Sequence, residues 1–286
     1  MLVVLVRSEA QSGTQSERSI EEGGKATTGY RVNTPQASPQ RTERKEQLMS
    51  ATNITRWIGT GLLGLPLYGA LTFWTTLDSQ PDPSTQYDAW SRFVTTDHYL
   101  YTHLFGSIGG AVLAILGVFA LGAYLATGRA GRLGLAAMVM TVVGQALGLT
   151  IGGVSTFAAP EEGQVHLAGI AEYARLNEQQ PMLADTALMA TFALAILLMF
   201  VGSVLLGVAV WRSGVLPRWA GAVWAASAVV FYVLGAVLGM ATTGGALVTQ
   251  PLAALLMVVG GGWMALSILR RPSIETGKAR VQPMAQ

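Results

Sequence analysis

The chain has 286 residues; 51% are hydrophobic and only 12% are charged, about half the charged share of a soluble domain. Cysteine is absent and the formal net charge is +2. These figures exclude a soluble enzyme, a disulfide-stapled secreted domain and a nucleic-acid binder, and they point to an all-α, multi-span membrane protein.

Residues 1–56 are rich in Ser, Thr, Gln, Glu, Arg and Gly. Such a segment cannot bury enough apolar surface to offset chain entropy, so it is expected to be disordered. Met49 stands just before the first apolar run. A start codon placed too far upstream would leave this kind of polar extension, and Met49 is the expected true start. The alternative is a basic tail that touches anionic lipid.

Uncharged runs follow at Trp57–Leu77, Leu104–Gly128, Leu133–Pro160, Thr186–Trp211 and Trp219–Leu269. A bilayer core takes about 20 helical residues, so the last run must fold back once. Thr242–Gly245 is its turn-like cluster. The expectation is a six-span bundle over residues 57–271, with spans at 57–77, 100–127, 132–158, 184–211, 218–241 and 247–269, and a cytoplasmic tail at 272–286. Pro66 is expected to kink the first span.

Lys and Arg fix the orientation. Eight precede the first span, Arg129 and Arg132 follow the second, Arg212 and Arg218 the fourth, and Arg270, Arg271, Lys278 and Arg280 the sixth. The opposite loops hold only Arg92 and Arg175. Basic residues stay cytoplasmic during insertion, so both termini are expected inside. Arg outnumbers Lys fifteen to three, which points to a GC-rich bacterium and its plasma (inner) membrane.

Two outer loops carry helical patterns. In 85–99, Tyr87, Trp90 and Val94 form a stripe with Phe93 beside it, as in an interfacial helix with aromatic anchors. In 164–179, Leu167, Ile170, Ala171 and Ala174 share a face, and Pro160-Glu161-Glu162 suits a helix start. The pair reads as two helices on the membrane surface or, alternatively, as a lid over an outward pocket.

Spans two to three and four to five resemble a tandem pair. Gly122 matches Gly207, Arg132 matches Arg218, and Gly148–Gly152 matches Gly235–Gly239, at offsets of 85, 86 and 87 residues. Gly144, Gly148 and Gly152, and Gly106 with Gly110, form small-residue faces for close helix approach, inside the bundle or in a homo-oligomer.

No Asp, Glu, Lys, Arg or His lies in the middle of any span, and Gln145 is the strongest polar group there. No nucleotide loop, nucleophile elbow, H-E-x-x-H pair or C-x-x-C is present. His98, His103 and His166 all fall on the outer side near Asp97, Glu161 and Glu162, a donor set able to take zinc, another transition metal or haem. Five residues separate His98 from His103, about 140° around an ideal helix. The two would converge only with His98 ahead of the helix start.

The segment Trp211-Arg212-Ser213-Gly214-Val215-Leu216-Pro217-Arg218-Trp219-Ala220-Gly221 resembles a turn found in small multi-pass bacterial membrane families of unknown function. The resemblance covers one hairpin, implies an integral membrane protein, and carries no active residues over. The leading expectation is a non-enzymatic accessory subunit, or a binder or carrier of a neutral or lipophilic molecule, with no cofactor and the lipid bilayer as its partner. The alternative is a membrane-bound metal- or haem-dependent redox protein that uses His98, His103 and His166.

Overall fold

The apolar runs fold as helices. The computed structural model describes residues 56–78, 80–83, 85–170, 186–239 and 249–270, and every regular element among them is helical. Residues 56–62 are helical and lead into α1, Gly64–Thr75. The ladder breaks at Leu63, just ahead of Pro66, whose nitrogen cannot donate to the Leu62 carbonyl. It resumes where the Leu67 N–H donates to the Leu63 carbonyl at 3.2 Å. The short helix α2 covers Tyr87–Val94. Five long helices follow: α3 Asp97–Ala126, α4 Gly131–Leu167, α5 Thr186–Ser213, α6 Arg218–Val237 and α7 Thr249–Leu269. These five are long and apolar enough to cross a membrane. The first expected span is divided at Leu63 and is not among them.

The long helices pack in chain order, α3 on α4, α4 on α5, α5 on α6 and α6 on α7, and α1 lies against both α3 and α7 to close a ring. Leu62, Leu65, Leu121, Leu125, Leu206 and Met264 are fully buried at its centre. The outward faces are apolar too: Phe119, Val139, Leu197, Val208 and Leu255 are exposed. So much bare apolar surface suits lipid and not water.

Glycines set the seams. A Cβ added at Gly64 would stand 2.5 Å from the Leu113 carbonyl oxygen, one at Gly144 2.8 Å from the Met199 nitrogen, and one at Gly260 3.1 Å from the Trp224 nitrogen. Packing drives association where lipid replaces water, and here backbones approach backbones. Gly106, against Thr75, and Gly144 are thus used inside the bundle.

The two hairpins expected to match also pack alike. Added Cβ atoms at Gly122 and Gly207 would stand against Met138 and Ala225, and those at Gly134 and Gly221 would each stand 2.9 Å from a Cβ, of Leu125 and Val210 respectively. The second turn carries the motif read from sequence. Gly214 closes α5 at φ +69°, a conformation that costs glycine little. Arg218 lies 5.7 Å from the Trp211 ring and 5.6 Å from the Trp219 ring, a double cation–π contact at the foot of the hairpin.

Three helices change pitch towards one end. Thr102–Gly109 in α3, Val154–Ala158 in α4 and Val229–Val237 in α6 are π-helical, a wide turn that recurs at functional sites. All three lie in the half of the bundle that α2 covers, here called the capped end; Arg129, Arg132, Arg212, Arg218 and Arg270 mark the basic end.

Two expectations for the loops need correction. The aromatic stripe of α2 forms, but it faces protein: Trp90 is 1% exposed and packs with Val94, Tyr99 and Ala159. The second loop helix does not start afresh. Ala159–Leu167 continues α4 with Pro160 and the acids in its first turn, and it ends before Gly169 at φ +68°. Residues 1–55, the face expected at Ala171 and Ala174, the turn at Thr242–Gly245 and the tail at 272–286 lie outside the described residues.

Candidate functional site

The capped end holds all three histidines. Thr96 caps α3, its hydroxyl accepting from the Tyr99 N–H at 3.2 Å. His98 therefore sits in the first turn of the helix and not ahead of it. Its Nε2 lies 2.7 Å from Asp78 Oδ2, beyond the end of α1. The Nε2 of His166 lies 2.6 Å from Asp88 Oδ1 on α2. His103 donates from Nδ1 to the Tyr99 carbonyl at 3.0 Å and stacks on the Tyr99 ring at 3.9 Å. The three imidazoles thus make three separate contacts, and no group of three His, Asp or Glu able to hold a metal exists among the described residues.

Around them α2 is bolted to the end of α4. Tyr87 donates from its hydroxyl to Glu162 Oε1 at 2.8 Å. Tyr99 donates to the Ser155 carbonyl at 2.8 Å, linking α3 to α4. Gly163 lets the two backbones meet: a Cβ there would stand 2.9 Å from the Ser91 carbonyl oxygen. Glu162 is 4% exposed, and its Oε2 and the Ser91 hydroxyl are sealed without a partner among the described residues. Sequence gave no sign of this. Tyr87 and Glu162 are 75 residues apart, and only the fold unites them.

The Asp88 carboxyl is held below its ordinary 3.8 by the hydrogen bond from His166, with the charges of His166 and Arg92 adding to the effect. The pair is therefore ionic in character on the carboxylate side, at an exposed position where water screens it.

Beneath the cap the interior is polar but uncharged. Thr141 touches Gly202 across the α4–α5 seam, and Gly144 touches Met199 one turn nearer the cap. Gln145 lies at that level and is 6% exposed. Phe200, next to Met199, meets the Tyr232 ring edge-on at 6.5 Å, and Tyr232 neighbours Tyr68 of α1. Tyr68 also lies 3.5 Å from where a Gly110 Cβ would be. Gln145, Phe200, Tyr232 and Tyr68 thus form one layer through α4, α5, α6 and α1. Nearer the cap, α4 presents Gly148 and Gly152, where added Cβ atoms would find only Met199 at 3.7 Å and Ile108 at 3.6 Å. This is looser than the seams below. The sequence had singled out Gln145; the tyrosines were missed because their spacing in separate helices carries no motif.

The fold and these interior groups define a helical protein compatible with several membrane passes, with a capped, uncharged interior. Compared with known proteins, the chain matches no family model, no curated sequence and no solved structure.

Proposed function

We propose that the chain is a six-span protein of the bacterial plasma membrane, with both termini cytoplasmic, that binds or carries a neutral or lipophilic molecule and does not itself catalyse a reaction. Helical residues 56–62 and α1 supply the first span, kinked at Pro66. The one-sided Lys and Arg support the orientation.

The observation that carries the ligand class is Gln145. Gln145 is 6% exposed at mid-span, where a polar side chain costs free energy unless something pairs with it. A hydroxyl or carbonyl on an otherwise apolar molecule would satisfy it, and Tyr68 and Tyr232 offer further hydroxyls in the same layer. No Asp, Glu, Lys, Arg or His lies in that layer, so a charged cargo would find no counter-charge. The alternative redox reading has each imidazole already engaged, by Asp78, Asp88 or the Tyr99 carbonyl. Self-association would need faces other than those of Gly106 and Gly144, which the bundle uses.

The test uses purified full-length protein in detergent. Decylubiquinone, dodecanol and monoolein are added separately and the thermal midpoint is read. At least one is expected to raise it, since a ligand that binds only the folded state stabilises by mass action. Gln145→Leu is expected to keep the fold and lose the rise. No shift with any of the three, or a shift that survives Gln145→Leu, overturns the reading.

A further inference from the structure

A groove of about 460 Å³ lies on the outside of the ring, away from the interior layer, and runs along α7 from Val258 to Arg270. Its walls are Val259, Trp263 and Leu266, all exposed and apolar. Gly262 forms the floor; a Cβ there would be 3.8 Å from Pro66, so the groove runs beside α1. The Ser267 hydroxyl, which also lines the groove, is already engaged, donating to the Met264 carbonyl at 2.7 Å. At its foot stands Arg270, exposed and with no acidic partner among the described residues.

We propose that this groove holds one anionic phospholipid, its acyl chain along Val259, Gly262, Trp263 and Leu266 and its phosphate on Arg270. Two observations select that occupant. The first is length. Val258 to Arg270 rises about 18 Å along the helix axis, which matches one leaflet of a hydrocarbon core about 30 Å thick. The second is charge. The polar end of the groove is a guanidinium with no acidic partner among the described residues, and its planar donors pair with phosphate oxygens. Basic sites at the cytoplasmic ends of membrane helices select anionic headgroups in the same way. A zwitterionic lipid fits the apolar part equally well but brings its own cation to Arg270.

The inference rests on reading the long helices as membrane spans, and its test separates the two. Full-length protein is placed in phosphatidylcholine nanodiscs in which either phosphatidylglycerol or phosphatidylcholine carries dibrominated acyl chains. Tryptophan emission is then read. Brominated phosphatidylglycerol is expected to quench several-fold more strongly than brominated phosphatidylcholine, and Trp263→Phe is expected to remove that difference. Arg270→Gln, on the surface and without effect on packing, is expected to equalise the two lipids. Gly262→Leu fills the floor and is expected to weaken quenching by both. Equal quenching by the two lipids in the unaltered protein overturns the proposal while leaving the spans intact. So does a preference that survives Arg270→Gln. A cross-link from position 263 to the chain's own residues 271–286, with quenching by neither lipid, overturns it as well, by naming a different occupant.

Discussion

Tyr87, Glu162 and Asp88 show how single side chains hold the cap. Each of two polar atoms in the cap, Glu162 Oε2 and Ser91 Oγ, is sealed without a partner among the described residues. Tyr87→Phe would remove the donor to the other Glu162 oxygen and leave that carboxyl with neither oxygen paired. The expected loss is about 1–3 kcal/mol of cap stability, read from Trp90 fluorescence during thermal unfolding. Glu162→Gln keeps an acceptor for Tyr87 and is expected to cost less than Tyr87→Phe; a larger loss would show that Tyr87 is not the bolt. Asp88 gives the pH dependence. Its carboxyl is held below 3.8 in the folded chain, so its contribution is fully present above the unfolded value and is lost as pH falls through the folded one. The cap should therefore loosen on acidification below pH 3.8, and Asp88→Asn should remove that part of the pH profile while leaving the neutral-pH signal of Trp90 nearly unchanged. An Asp88→Asn profile that superimposes on the unaltered one would rule the pair out as the source.

At the level of helices, seam glycines and free glycines should respond in opposite directions. An Ala at Gly144 would place its Cβ 2.8 Å from the Met199 nitrogen and 3.1 Å from the Ala195 carbonyl oxygen. Neither backbone can yield cheaply, so Gly144→Ala should destabilise by about 1–3 kcal/mol. Gly153, on the same helix, has nothing within 4 Å of its added Cβ. Gly153→Ala should stabilise by about 0.5–1 kcal/mol, because it lowers the entropy of the unfolded chain and improves helix propensity. Chemical unfolding of both variants in mixed micelles measures the contrast. The helices themselves were legible in sequence because an uncharged run of span length admits few other folds. The extension of α4 past Pro160 was not. Proline followed by two acids has the signature of a helix start, and nothing in a sequence shows that the wide turn at Val154–Ala158 lets the preceding helix run into it. The partners of His98 and His166, 20 and 78 residues away, belong to tertiary packing, so local spacing located the histidines at one end without saying what they touch.

The molecule as a whole is two similarly packed hairpins, α3–α4 and α5–α6, with α1 and α7 closing the ring. This arrangement makes the first helical rod decisive for topology. Residues 56–62 and Gly64–Thr75 form a rod broken only at Leu63, and an added Cβ at Gly69 would stand 2.8 Å from the Val258 nitrogen of α7. This rod packs against α3 and α7, themselves long and apolar enough to cross. If it crosses, the number of spans is even and the two termini share a side. The loop at Asp82 and the end of α4 at Leu167 would then both face outward, consistent with Arg129, Arg132, Arg212 and Arg218 facing inward. Fusions of a periplasm-dependent reporter after Asp82 and after Leu167 should be active, and a fusion after Arg129 silent. A cytoplasm-dependent reporter should give the inverse pattern, including activity when fused after Gln286. Activity of the periplasmic reporter at Gln286, with the other positions unchanged, would leave an odd number of crossings after Leu167 overturned and force one of α5, α6 or α7 out of the membrane.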